Sequence, residues 1–274
     1  MSYWMEMANE TATDAIVKTE KRKEINGRLP FKQEFFQIKP SAKSKKKDDY
    51  FVLECENLFK VGSCYIPVLS KALAKGMKKL LIKNEISKDA PILVVGIGNN
   101  GFVVDSLGPK TVRKIIATGA YPESQILKLR RVYAFNPDVS GKTGLQTSKT
   151  VSAIVSASKV SAVILIDSFA SKSPSRLGKS FQFASCGLIP GAGVNSDNSP
   201  ITSNELGVPV FSLGVPLVAI GDAIFNEEES KNYVFAPKSV DNMINYCSEI
   251  MSNALNQCLL QSLSLKEIEM LKSF

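Results

Sequence analysis

The sequence predicts an α/β fold, a three-layer α/β/α sandwich with a mostly parallel sheet covered by helices on both faces. Three observations carry this expectation. Apolar runs such as Ile92-Leu93-Val94-Val95 and Ala162-Val163-Ile164-Leu165-Ile166 lack the polar alternation of a half-exposed strand. Stretches with helical apolar spacing separate the runs. Glycine or aspartate follows them, at the strand ends where open α/β sheets hold their ligands.

Taken in order, residues 1–48 are polar and charge-mixed, with Phe31, Phe35 and Phe36 the main apolar cluster and Lys43, Lys45, Lys46 and Lys47 a basic run. A charged N-terminal arm of pro-segment-like character is expected there. Residues 49–274 are expected to form a single α/β domain that includes the C-terminal helices. Tyr50-Phe51-Val52-Leu53 marks a first strand over 49–56. Between Tyr65 and Lys83, Ile66, Leu69, Leu73, Met77, Leu80 and Leu81 recur at helical spacing and lysines fill the other face. A strand at 92–95 leads through glycines to Pro109, which suits the first turn of a helix ending near Gly119. Strands are expected at 126–135, at 162–166 ending in Asp167, at 181–184, and at 208–213 ending at Gly214-Val215-Pro216. Val151, Ile154 and Val155 mark a helix. A long amphipathic helix runs from Ser239 through Cys258, and Ser264 with Glu267 forms a capping box for a short terminal one.

Composition narrows the chemistry. An apolar content of 44% over 274 residues is ample for a core. Thirty-four basic against 26 acidic residues give a net charge of +8, concentrated in lysine runs that read as solvated surface. Basicity alone supplies a non-specific footprint, so no nucleic-acid partner is assigned. The five cysteines are scattered, contain no Cys-x-x-Cys pair, and read as buried thiols of a reducing compartment. Neither a secretory signal nor a membrane-spanning run is visible. The chain has no histidine, which excludes Ser-His-Asp and Cys-His catalysis and histidine-ligated metal from its own residues.

Gly96-x-Gly98-x-x-Gly101 matches the dinucleotide fingerprint, yet the helix is expected only from Pro109 and no acid follows at a strand end. Neither this segment nor Gly141-Lys142-Thr143 is assigned a phosphate ligand, and no cofactor or metal is expected. Asp105 and Asp167 are the candidate catalytic pair. Both fall at or past the ends of apolar strands, and a parallel sheet brings such residues to one edge. Two carboxylates there can split their pKa values and share acid and base roles. Gly98, Asn99, Gly191 and Gly193 are candidate substrate-binding positions, able to present backbone amides.

The order of several blocks resembles the bacterial spore germination protease family. They are Val94-Val95-Gly96-Ile97-Gly98-Asn99, Asp105-Ser106-Leu107-Gly108-Pro109, Thr143-Gly144-Leu145-Gln146-Thr147-Ser148, Ile164-Leu165-Ile166-Asp167-Ser168-Phe169-Ala170, Pro190-Gly191-Ala192-Gly193-Val194 and Leu206-Gly207-Val208-Pro209-Val210, followed by Gly214-Val215-Pro216 and Pro237-Lys238-Ser239-Val240-Asp241. The resemblance implies a cytoplasmic, tetrameric endopeptidase of the spore, made as a zymogen. It implies cleavage of small acid-soluble spore proteins at germination, and a helix-sandwiched sheet similar to that of hydrogenase maturation peptidases. The family's proposed catalytic aspartates fall on Asp105 and Asp167. Where the family reads Ser-Asp-Thr-Gly-Ile-His-Pro-Gly, this chain has Ala184-Ser185-Cys186-Gly187-Leu188-Ile189-Pro190-Gly191, without the acid and the histidine. The alternative expectation is a catalytically degenerate homologue that binds a peptide or protein as a regulator.

Overall fold

The computed structural model describes residues 7, 16–25, 29–38, 48–56, 58, 63–120, 128–191, 199–221 and 233–272. Its strands are β1 (Ile16–Ile25), β2 (Leu29–Ile38), β3 (Asp48–Glu54), β4 (Ile92–Gly96), β5 (Val132–Phe135), β6 (Ala162–Ser171), β7 (Ser180–Ala184), β8 (Val210–Ile220) and β9 (Val234–Phe235). The helices are α1 (Ile66–Lys83), α2 (Leu107–Val112), α3 (Ser140–Thr143), α4 (Thr147–Ser158), α5 (Ser203–Leu206), α6 (Val240–Leu259) and α7 (Leu265–Lys272).

These strands form one sheet of order β1-β2-β3-β7-β8-β6-β4-β5, with β9 against β8. It is a mixed sheet. The predicted parallel pairing holds for β8, β6, β4 and β5, whereas β1, β2, β3 and β7 pair antiparallel, and β7 joins β8 antiparallel. The departure from a mostly parallel sheet begins in the stretch expected to be an arm. There β1 and β2 pair from Ile16↔Ile38 to Ile25↔Leu29, and β2 continues onto β3. A charged strand carries no apolar run for pattern reading to find, and charge suits a sheet edge, where lysines oppose further pairing.

Side-chain alternation explains why the runs Ile92 to Val95 and Ala162 to Ile166 lack polar residues. Ile92 and Val94 of β4, with Ile164 and Ile166 of β6, enter a core that includes α1, α2 and α6. Their neighbours Leu93, Val95, Val163 and Leu165 point the other way, onto Val151 and Val155 of α4. Both faces are therefore apolar.

Several boundaries move. β6 does not stop at Asp167 but runs on to Ser171 beside β8. β8 passes through Pro216, and the register slips between Phe169 and Ala170 next to it. A proline lacks the N–H that a regular ladder needs, and a bulge is where a strand can hold one. β5 is shorter than expected, starting at Val132, and residues 126–127 of that expectation lie outside the described residues, as do Lys43 to Lys47. The cap of α7 is as predicted: Ser264 N–H donates to Glu267 Oε2 at 2.6 Å, and Glu267 N–H to Ser264 Oγ at 3.3 Å. All five cysteines are free thiols. Cys64 is exposed, contrary to the expectation that all are buried, and Cys186 is half-buried.

Candidate functional site

The site lies where β4 and β5 end and β6 continues. Ile97 N–H donates to Ile166 O at 2.8 Å, closing the ladder one residue before Asp167. Asp167 thus sits within a strand, paired with Gly214 of β8, at the level where β4 gives out. It is 2% exposed. Its Oδ1 accepts the Ser168 N–H at 2.7 Å, and its Oδ2 is buried without a hydrogen-bond partner. Burial pushes this carboxyl well above the ordinary range and the charge of Asp105 adds to the push, while the Ser168 amide pulls against both.

Asp105 arrives by another route. It closes the short 3-10 turn Val103–Asp105 just ahead of α2, well past the end of β4. Its Oδ2 accepts the Asn99 N–H at 2.8 Å. Burial raises its pKa, the Asn99 amide lowers it, and the nearby charge of Asp138 raises it again.

The glycines that mimic a cofactor loop serve this turn. Gly98 has φ of 120°, and a Cβ there would lie 2.1 Å from Asp105 O and 2.9 Å from Asp105 Oδ1. At Gly108 a Cβ would stand 2.1 Å from Ile97 O and 2.7 Å from Ile166 O. Only glycine lets the first turn of α2 press against the exits of β4 and β6. The helix begins at Leu107, not at the glycines.

Helix α6 buttresses that turn from behind. Buried Asn256 clasps the turn just past α2, its Oδ1 accepting Ile116 N–H at 3.0 Å and its Nδ2 donating to Lys114 O at 3.0 Å. Lys110 pairs with Asp241 at 2.9 Å, and Lys114 with Glu249 at 2.9 Å.

Of the candidate positions, Gly98 and Asn99 therefore meet Asp105, although the Asn99 amide is engaged by the carboxylate and does not face an open position. Gly191, with φ of 70°, follows a stretch anchored by the Leu188↔Ile201 bridge. No hydrogen bond joins it to either aspartate among the described residues, and Gly193 lies outside them. The altered Ser185 and Cys186 are drawn into the sheet's other half. Ser185 Oγ accepts Asp49 N–H at 2.8 Å, and Cys186 Sγ lies 3.5 Å from Tyr50 Oη. Burial pushes the Cys186 thiol up to about 12, so it is no ready nucleophile.

Two residues near Asp105 were given no role at the site by the sequence. Asp138, in the loop after β5, pairs with Lys142 at 2.8 Å, and Lys142 also donates to Asn99 Oδ1 at 3.2 Å. The Lys142 hydrogen bond and the Val139 amide hold the Asp138 carboxyl below its usual range. No group of three His, Cys, Asp or Glu side chains suited to a metal ion occurs among the described residues.

A family model described as germination protease matches residues 6–235. Relatives of that name include the protein of Oceanobacillus iheyensis, 34% identical over 69% of this chain and 52% of its own length. That of Bacillus subtilis is 33% identical over the same shares. That of Caldanaerobacter subterraneus subsp. tengcongensis is 30% identical over 84% of each chain. The chain spans about half the length of the first two. With most of its residues matched by the family model, and with relatives at this identity, the chain belongs to the germination protease family.

Proposed function

We propose that the chain is an endopeptidase that hydrolyses peptide bonds with the pair Asp105 and Asp167. The observation that carries this reading is the buried, partnerless Oδ2 of Asp167 next to a second carboxylate. A carboxyl so placed is shifted toward its protonated form and suits the acid role, while Asp105, open enough to reach water, acts as the base. Asp105 takes a proton from the attacking water as oxygen bonds to the scissile carbonyl carbon. Asp167 gives its proton to the carbonyl oxygen; collapse of the tetrahedral adduct then expels the amine, which takes up the proton from Asp105, while the re-forming carbonyl returns its hydroxyl proton to Asp167. Phe102 and Val103, exposed on the turn that carries Asp105, offer apolar contact to a peptide side chain.

The substrates that go with this reading are small acid-soluble spore proteins, cut in the spore cytoplasm by a homotetramer. The layering that goes with it is the three-layer sandwich of the hydrogenase maturation peptidases, supported by the apolar contacts on both faces of the parallel strands. The test is incubation of the purified chain with such a spore protein. Wild type is expected to cleave it, and Asp105→Asn and Asp167→Asn to keep the fold and lose cleavage. An aspartate variant that cuts at the wild-type rate removes the pair from the mechanism. A wild type that binds the protein without cutting it leaves the regulatory alternative.

A further inference from the structure

We infer that Lys142 is a positioning residue for Asp105, acting through Asn99. Its kinetic consequence rests on the peptidase reading above; its geometry does not.

From α3, the Lys142 ammonium reaches Asp138 Oδ2 at 2.8 Å and Asn99 Oδ1 at 3.2 Å. Asn99 is the residue whose backbone N–H holds Asp105 Oδ2. The same Asn99 Oδ1 accepts the Gly101 N–H at 2.8 Å, so the side chain fixes the turn that its backbone opens. One ammonium thus links the loop after β4 to the loop after β5. The two loops come from adjacent parallel strands.

Asp138 is shaped to anchor this link. Its φ of 58° lies in the left-handed region, where aspartate is tolerated better than most side chains. Asn136 Oδ1 accepts its N–H at 2.9 Å, and its own Oδ1 accepts the Val139 N–H at 2.8 Å. The first bond fixes the backbone and the second the carboxylate, so that Oδ2 is left for Lys142. Strain kept beside a reactive group points to geometry that matters. The ion pair is largely solvated, with the lysine side chain 49% exposed, and such pairs add little to stability. A small displacement of a catalytic group costs far more in rate than the pair supplies in folding.

The test uses the full chain with Lys142→Met and Lys142→Arg. Two readouts are compared: hydrogen exchange of the Asn99 amide by NMR, and hydrolysis of a small acid-soluble spore protein with kcat and KM separated. Lys142→Met is expected to speed Asn99 exchange about tenfold and to lower kcat about tenfold with KM unchanged, the scale of one lost hydrogen bond. Lys142→Arg is expected to restore both. Asn99 exchange in Lys142→Met equal to wild type overturns the inference, and a loss confined to KM then makes Lys142 a substrate contact. If wild type itself fails to cleave, the peptidase reading falls, and the exchange measurement alone decides the positioning role.

Discussion

The two halves of the sheet are built by different rules. In β4, β5, β6 and β8 every strand runs the same way, so their exits lie along one edge, and the loops beyond β4 and β5 bring Asn99 and Asp138 to Asp105, whose charge reaches Asp167. In β1, β2, β3 and β7 successive strands reverse, and exits alternate between edges. That half gathers aromatic rings instead: Phe36 stacks on Tyr50 with centroids 5.0 Å apart, and Phe35 meets Phe51 at 4.7 Å. The difference points to a division of labour, with the proposed chemistry at the parallel edge and stacked rings in the antiparallel half.

Substitutions in one half should leave the other half's property alone. The largest effect is expected from Asp105→Asn and Asp167→Asn, each lowering kcat by about a thousandfold, the range of a lost acid or base, with circular dichroism unchanged. A variant that also melts early breaks the division. Next comes Phe51→Ala. Phe51 is fully buried, so about 3–5 kcal/mol of stability should be lost in a urea titration. Activity per folded molecule should persist at temperatures where the variant stays folded.

The pH dependence of stability should separate the halves further. Folding raises the pKa of Asp167, so the native state keeps a proton that the unfolded chain releases above about pH 4. The stability linked to this group is full below that pH and falls as pH rises toward the native pKa. Asp167→Asn should remove the fall, melting above wild type at neutral pH and level with it near pH 3. The smallest effect belongs to Glu249, on the buttress behind the site. Partial burial would raise its carboxyl, but Lys272 at 2.7 Å and Lys114 at 2.9 Å outweigh that and hold it down to about 2. Its contribution is present above the unfolded pKa and lost as pH falls from about 4 toward 2. Glu249→Gln should cost under about 1 kcal/mol at pH 7, because the charges are partly solvated. It should cost nothing at pH 2, as read by thermal melts.

Legibility followed the same division. Strands β4 and β6 announce themselves because both faces are buried, and the helices around them carry clear apolar stripes. Asp105 and Asp167 were reachable from the rule that ligands gather past parallel strand ends, although one sits on a turn and the other within a longer strand. Asp138 obeys that rule as well. It follows β5 by a few residues, but Asn136-Pro137-Asp138 also spells an ordinary turn, and Gly141-Lys142-Thr143 drew attention as a failed phosphate loop. The hairpin of β1 and β2 was illegible for a physical reason: a charged edge strand is stabilised by a ladder on one side and water on the other, and leaves no apolar pattern. Phe31, Phe35 and Phe36 were the trace of it. Phe31 and Phe35 face the core shared with α1, while Phe36 faces the opposite side.

The run of β6 past Asp167 gives the pair a mechanical asymmetry. Asp167 is a fixed jaw, its backbone laddered to β8 before and after it. Asp105 is an adjustable jaw, carried on a turn whose backbone bonds reach only as far back as Asn99. A bound peptide can reshape the turn but must come to the strand. On the proposed mechanism, the sheet would set the location of the bond to be cut, and the loop the readiness of the water that cuts it.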